Sequence, residues 1–524
     1  MGKFNSTSKS TVSKTKSKDG VSAFKPSAYQ ELCDRVLTSF FGEDRFYETG
    51  EQSSKAIVSL IHKVAKKDPI FVAKLAILAR EKFNLRSVTQ VLVAELAKVS
   101  KGESFVSETI AQICKRPDDM TEILAYLINS TKATTDLTGR TLHNNKAIPN
   151  QVKKGIAKAF GKFNEYQLSK YNSSKKDVKL LDILRLTHPK PKDTEQSELW
   201  GRLVSGTLAP AETWERKISA AGQGDKTASE VEDTKTQEWE NLILGKKLPY
   251  MAALRNLRNV VQSKVSPAAH SMLQDYICNE TAVANGKQFP FRYWSAFNAL
   301  EQATGLDPFI VKNYKKAIGK ALYHSGKNVP QLKGRTLIAV DLSGSMTWTP
   351  LSKDSTMKCS DVAAVMGVLA NQFCEDAVVM GFATEMATIP LSDDPNNVIG
   401  DIQTVRNTNL GGGTNVGQIF GHLTRNKIAV DNVLVFTDSQ FNGQYNRGWG
   451  SDQNMTMDDY RKKMNPDAML YEMNLAGFGS TQIDPRNKRN VFMSGWSDAT
   501  LKYITEYQDL KTGIVDMVKK VQLK

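Results

Sequence analysis

The sequence predicts a multidomain chain: an irregular array of paired α-helices over residues 26–330, then a doubly wound parallel α/β domain over residues 331–524, behind a flexible basic tail at residues 1–25. Three observations predict this. Apolar residues recur at helical spacing up to about residue 330, and after Gly334 they change to short β-branched runs separated by helical stretches. The charge changes with them, because the net +15 divides into +17 for residues 1–330 and −2 for residues 331–524.

Taken in order, residues 1–25 are Ser, Thr and Lys with almost no apolar content, too little to offset the entropy of ordering. Ala56, Leu60 and Val64 then repeat at four-residue spacing, followed by Phe71, Leu75 and Leu78, and by Val91, Val93, Leu96 and Val99. Breaks at Lys67-Asp68-Pro69, Arg116-Pro117-Asp118 and His188-Pro189-Lys190-Pro191 supply turns and helix starts between them. No fixed-period repeat is present, so the array rests on helix density and not on self-similarity. Residues 222–240 are acidic and polar, and read as a connector with a short helix. From Gly334 onward, residues 336–340, 377–380, 432–436 and 469–475 read as strands, with helices at 362–373 and 416–423 between them.

Composition narrows the setting. Apolar runs such as 433–436 and 75–79 are far shorter than the roughly 20 residues that cross a bilayer. The opening MGKFNSTSKSTVSKTKSK lacks the apolar centre of a secretory signal. Five cysteines without a CxxC pair suit a reduced compartment, so the expected location is the cytoplasm.

The positive charge is clustered. Residues 140–192 hold 13 basic side chains against Glu165, Asp177 and Asp182, and a second basic run spans residues 246–327. Such fields attract phosphate backbones by counterion release. A solvated lysine-rich helix face is the plain alternative for either run alone, and the repetition weakens it. Charge alone nominates Arg140, Lys153, Lys154, Arg255, Arg258, Lys312 and Lys315 as RNA contacts; salt bridging along a helix face is the competing reading for Arg255 and Arg258.

Three polar clusters fall at predicted strand ends or helix starts, where ligands collect in doubly wound sheets. They are Asp341-Leu342-Ser343-Gly344-Ser345, Gly411-Gly412-Gly413-Thr414 and Thr437-Asp438-Ser439. Asp341, Asp438, Ser343, Ser345 and Thr414 make an all-oxygen set suited to a divalent metal, above all Mg²⁺, with an open coordination position. A turn network without metal is the alternative, since Asp and Ser are ordinary turn residues.

The same five residues resemble the metal-ion-dependent adhesion site (MIDAS) of von Willebrand factor A domains, with every position matched. GRTLIAVDLSGSM, VLVFTDSQF, DDYRKKM and GFGSTQIDPRN resemble the carboxyl half of the Ro ribonucleoprotein family, and KDVKLLDILRLTHPKP, LPYMAALRNLRNV and FPFRYWSAFNALEQ resemble its helical TROVE module. The likeness implies a ring of HEAT-like helical pairs and a von Willebrand factor A-like, Rossmann-like domain within a monomer. It further implies binding of small structured Y-like RNA and of single-stranded 3′ ends of misfolded RNA, with an exoribonuclease as a further partner. Lys170, in a Lys-Tyr pair, and Arg185, His188 and Lys190, in LRLTHPKP, match the family's RNA-contacting stretch. The Lys-rich amino tail, the third glycine before Thr414 and residues 443–454 depart from the family pattern.

Catalysis is not expected. Two carboxylates without a second-metal set or a histidine base do not make a nuclease. The stretch 319–327 ends in Ser-Gly-Lys, but its leading glycine is off the phosphate-loop spacing and Asn328 replaces the required hydroxyl. The runner-up is a metal-dependent protein adaptor, which gives no reason for +17 on the helical half.

Overall fold

The computed structural model describes residues 13–16, 22–25, 27–38, 50–130, 134–135, 141–142, 148–173, 175–223, 227–288, 290–349, 357–392, 394–439, 455–476, 487–495, 498–510 and 513–523. Arg140 and residues 443–454 lie outside them. Strands β1 (Ser13–Lys16) and β2 (Ser22–Lys25) pair antiparallel inside the stretch expected to be a flexible tail. Residues such as Thr15 suit extended backbone, and paired strands satisfy each other's main-chain hydrogen bonds.

The helical array begins with α1 (Ala28–Thr38), α2 (Gly50–Ala65), α3 (Pro69–Glu81), α4 (Ser87–Val99), α5 (Ser104–Ile113) and α6 (Pro117–Ser130). After the short pair β3 (Thr134–Thr135) and β4 (Thr141–Leu142) come α7 (Asn150–Phe160), α8 (Glu165–Tyr171), α9 (Leu180–Thr187) and α10 (Thr194–Ser205). Then follow α11 (Trp214–Ala221), α12 (Ala228–Leu244), α13 (Tyr250–Arg255), α14 (Leu257–Gln262), α15 (Pro267–Cys278), α16 (Glu280–Gly286), α17 (Pro290–Glu301) and α18 (Pro308–Gly326).

The chain forms two compact units. One holds residues 28–43, 50–213 and 514–524, and the other residues 1–27, 44–49 and 214–513.

In the first unit α1 to α4 each pack on the next helix, and α2 packs with α4, α3 with α5, α4 with α6, α5 with α7 and α7 with α9, as stacked helical pairs do. The predicted break at Asp68-Pro69 works as a cap: Asp68 Oδ1 accepts the amide of Phe71 at 3.0 Å, and Pro69 starts α3. Buried Asp119 ties helix ends together, accepting from Arg80 at 2.9 Å, Arg86 at 2.6 Å, Gln90 at 2.9 Å and the amides of Lys115 and Arg116 at 3.0 Å. The last helix, α25 (Ile514–Lys520), belongs here too, packed on α1 and α3, with Lys74 Nζ donating to the carbonyl of Lys519 at 2.7 Å.

In the second unit, the acidic connector expected at residues 222–240 is largely the 17-residue helix α12. Thr227 and Glu230 close a capping box at its start, while Trp239, Leu242 and Ile243 bury one stripe. The sheet has the order β10 (Asn490–Ser494), β9 (Met469–Asn474), β8 (Asn432–Thr437), β5 (Leu332–Asp341), β6 (Cys374–Phe382), β7 (Met386–Thr388). Pairing is parallel except that β7 runs antiparallel to β6, an edge the sequence did not announce. Leu337, Val433 and Val435 face α22 (Gly417–Arg425) and α23 (Met457–Lys463) through Ile419, Leu423 and Tyr460. On the opposite face α20 (Cys359–Phe373) lies so close to β5 that a Cβ on Gly367 would sit 2.6 Å from Val340 Cγ2. The chain leaves β5 for β6 on one side and returns as β8 on the other, so the carboxyl ends of β5 and β8 flank a switch point.

Candidate functional site

The predicted oxygen ligands meet at that switch point. Asp341 ends β5 fully buried, and the chain turns at once into α19 (Gly344–Trp348), with Ser343 as the residue before its first turn. The Ser343 amide donates to Asp341 Oδ1 at 3.0 Å, and the hydroxyls of Ser343 and Ser345 lie 3.2 Å apart. The glycine segment is brought alongside by the Gly344 amide, which donates to the carbonyl of Gly412 at 3.2 Å. Gly411 has φ +92°, and a Cβ there would lie 2.6 Å from Thr384 Oγ1, so the turn demands glycine twice over. The Gly413 amide donates to the same Thr384 oxygen at 2.9 Å, and Thr414 follows, buried. Asp438 is buried one residue beyond β8.

Burial first, and then the charge of Asp438, push the Asp341 carboxyl up to about 7. Two carboxylates confined this way, with three nearby hydroxyls, form a hard-oxygen set whose repulsion a divalent cation relieves, so the donor chemistry fits Mg²⁺. Among the described residues no group of three or more His, Cys, Asp or Glu side chains makes a metal cage, so hydroxyls and water would complete the coordination.

The sequence placed Thr437 and Ser439 in a polar cluster without a role, and did not tie Glu472 to them. Thr437 Oγ1 donates to Asp341 Oδ2 at 2.6 Å and accepts the Ser439 amide at 3.0 Å. Ser439, at φ +58°, donates its hydroxyl to Glu472 Oε1 at 2.6 Å. Burial pushes the Glu472 carboxyl up to about 7. Its signal was a lone acid in the otherwise apolar Met469-Leu470-Tyr471-Glu472-Met473 run. The buried Cys359 thiol, opening α20, is raised to about 12 by burial and then by Asp438, Asp341 and Asp361.

Of the nominated RNA contacts, Lys154 on α7 is exposed and Lys153 half-buried. Lys170 is exposed on α8 with Nζ 5.8 Å from the ring centre of Tyr171, and the Arg116 guanidinium caps the same ring at 4.5 Å. Arg116 and Tyr171 thus join Lys170 in a basic-aromatic group that sequence distance concealed. Arg185 is exposed in the last turn of α9, His188 ends that helix at φ 46°, and Lys190 is exposed two residues on. His188 is therefore a helix cap whose ring is open to solvent, so the two readings of it coexist.

In the other unit, Arg255 and Arg258 are both exposed, on α13 and α14, which Asn256 separates. Lys312 is exposed on α18, whereas Lys315 pairs with Glu301 and lies 5.4 Å from the ring centre of Phe297.

The TROVE domain family matches residues 10–237 and 206–306, and the Ro60 vWA domain family matches residues 335–508. The chain belongs to the Ro60 family. Like this chain, the crystal structure of the Deinococcus radiodurans RO (RSR) protein carries the Ro60-family fold, with a TM-score of 0.63 at 17% identity over 93% of this chain and 100% of that one. The chain is 23% identical to the RNA-binding protein RO60 of Deinococcus radiodurans over 62% of its length and 65% of the relative's. It is 22% identical to telomerase protein component 1 of Mus musculus over 52% of its length, spanning only 12% of that relative. The helical array followed by a mostly parallel α/β domain is thus the Ro60-family architecture.

Proposed function

We propose that this protein binds RNA and does not catalyse a reaction: the helical surface takes small structured Y-like RNA and the single-stranded 3′ ends of misfolded RNA, in RNA quality control. The observation that carries the reading is the half-buried Tyr171 ring with the exposed Lys170 ammonium beside it, the ring held in place by an Arg116 guanidinium that Asp118 engages at 2.9 Å and 3.0 Å. Arg185, His188 and Lys190 add exposed donors on the same compact unit. The relative named as an RNA-binding protein and the +17 carried by residues 1–330 support the same reading.

Asp341, Ser343, Ser345, Thr414 and Asp438 would hold Mg²⁺, which when bound supplies an open Lewis-acid position for an acidic oxygen of a partner. Thr437 and Ser439 orient Asp341 for that role. An exoribonuclease is the kind of partner we propose to work beside the protein, in a cytoplasmic setting.

The test measures affinity for a hairpin with a single-stranded 3′ tail against the blunt hairpin at two salt concentrations, with the wild type and a Lys170→Ala, Arg185→Ala, His188→Ala variant. Tail-dependent, salt-sensitive binding that the variant loses is expected. Equal and negligible binding of both RNAs would refute the proposal and favour the metal-dependent protein adaptor.

A further inference from the structure

Helix α18 falls between the two family-matched stretches, beginning after residue 306 and ending before residue 335. Its amino end is firmly built: Asp307 Oδ1 accepts the amides of Phe309 at 2.8 Å and Ile310 at 3.3 Å, and Pro308 occupies the first turn. That cap fixes Phe309 outward, and its side chain is 72% exposed. Positions three, seven and eleven residues on carry Lys312, Lys316 and Lys320, which at about 100° per residue share one face with Phe309. Lys312 and Lys316 are exposed and Lys320 half-buried, while the other face buries Tyr314, Ile318 and Leu322 in the core. No carboxylate pairs with Lys312 or Lys316 among the described residues, in contrast to Lys315, which Glu301 holds off this face.

One exposed aromatic residue alone is common on a protein surface. An aromatic residue leading a row of lysines is a different arrangement. Lys312 and Lys316 stand about 6 Å apart along the axis, a spacing at which two ammonium groups can meet neighbouring phosphates of an unstacked strand. A flat ring at the head of the row offers a stacking surface only to a base that is not paired. Asp394 lies near Lys316 and Lys320, its carboxyl held low first by Asn396 and then by these two lysines, so the row ends at Lys316. That acid sets a limit to the anionic path.

We infer that the Phe309, Lys312, Lys316 face of α18 is a track for single-stranded RNA, with a base stacked on Phe309 and successive phosphates on the two lysines. Resting on the proposed RNA binding, it assigns part of that binding to a helix outside both family-matched stretches. The path is about two nucleotides long and indifferent to sequence, because stacking and charge read no base edge.

The test uses the full chain and a labelled hairpin with a 3′ tail, comparing wild type with Phe309→Ala, Phe309→Tyr, the double variant Lys312→Ala and Lys316→Ala, and Lys327→Ala, whose side chain pairs with Glu280, as a control, all checked for unchanged unfolding temperature. Phe309→Ala is expected to weaken tailed RNA at least about fivefold and Phe309→Tyr to restore it, the loss of one base stack. The double lysine variant is expected to lower the slope of log affinity against log salt by about 1.4, two phosphate contacts on a single strand. Lys327→Ala should change neither.

Wild type that binds tailed RNA with all variants unaffected would overturn the track and leave RNA binding intact. Wild type that binds no tailed RNA would overturn both. A lysine effect without a Phe309 effect, or displacement of the RNA by poly-glutamate as readily as by unlabelled RNA, would make the face a general anion surface and overturn the track.

Discussion

Replacing Asp119 tests how the helical unit is held together. Its carboxylate is buried and receives Arg80, Arg86, Gln90 and two main-chain amides, tying α3, α4 and α6 to the chain between α5 and α6. Among the described residues, Asp119→Ala takes the only carboxylate from the nearly buried Arg80 and leaves Arg86 with Asp118 alone, so the cost approaches that of breaking a buried pair, about 3–5 kcal/mol. For a unit of this size that corresponds to a Tm lower by about 6–20 °C. Asp119→Asn keeps the shape but loses the charge, and should cost about 1–3 kcal/mol. Burial pushes this carboxyl up, but the hydrogen bond and charge of Arg86, the charge of Arg80 and the Lys115 amide hold it below its ordinary value. A depressed folded value means the unfolded chain takes up the proton first, so the stabilisation is present above the free-carboxyl range near pH 4 and is lost as pH falls through the folded value. The assay is hydrogen exchange of the α3 to α6 amides with calorimetry, for wild type and both variants from pH 7 to pH 3. A change under about 2 °C for Asp119→Ala at pH 7, or a wild-type advantage over Asp119→Asn that grows on acidification, would refute the reasoning.

Glu472→Gln should remove a pH dependence: because burial raises the Glu472 carboxyl to about 7, its contribution is full below the free-carboxyl range and is lost as pH rises through about 7, so wild type should lose stability between pH 5 and 8 relative to the variant in thermal melts. Gly367→Ala should destabilise by about 1–3 kcal/mol through the 2.6 Å clash with Val340, and adding Val340→Ala should recover part of the loss; independent, additive costs in chemical denaturation would contradict that geometry. Mg²⁺ at about a hundredfold over its dissociation constant should stabilise the wild type by about 2.7 kcal/mol, and calorimetry of Asp341→Asn and Asp438→Asn should show no such gain. A metal response in both variants would remove the oxygen site from consideration.

The elements that sequence made legible share a physical cause. Strands β5, β6 and β8 are mostly buried along their carboxyl halves, so they appear as apolar runs, and the clusters at their ends stand out by contrast. Three-residue β7 is too short for any period to show, and α12 hid because only Trp239, Leu242 and Ile243 of its 17 residues are buried. The five residues proposed as oxygen ligands stand out in the sequence as local motifs. Glu472 does not, since its tie to Ser439 crosses from β9 to the end of β8. Arg116 escaped notice for the same reason: it is remote from Tyr171 in sequence, and only the packing of α6 against α8 carries the guanidinium over that ring.

The nominated cations differ in their surroundings. Charge counting treats every lysine alike, but Lys315 is turned toward Glu301 and Phe297, whereas Lys312, three positions earlier on α18, points to solvent. Partner geometry, and not composition, separates a cation available to phosphate from one already engaged. The same distinction explains why the two proposed sites need different sequence signals. A hard-oxygen site is built from side chains that must be buried and close, so a short motif at a strand end marks it. An RNA surface needs cations that stay hydrated until phosphate displaces the water, so it is spread over many exposed positions, and only the fold shows which of them share a face.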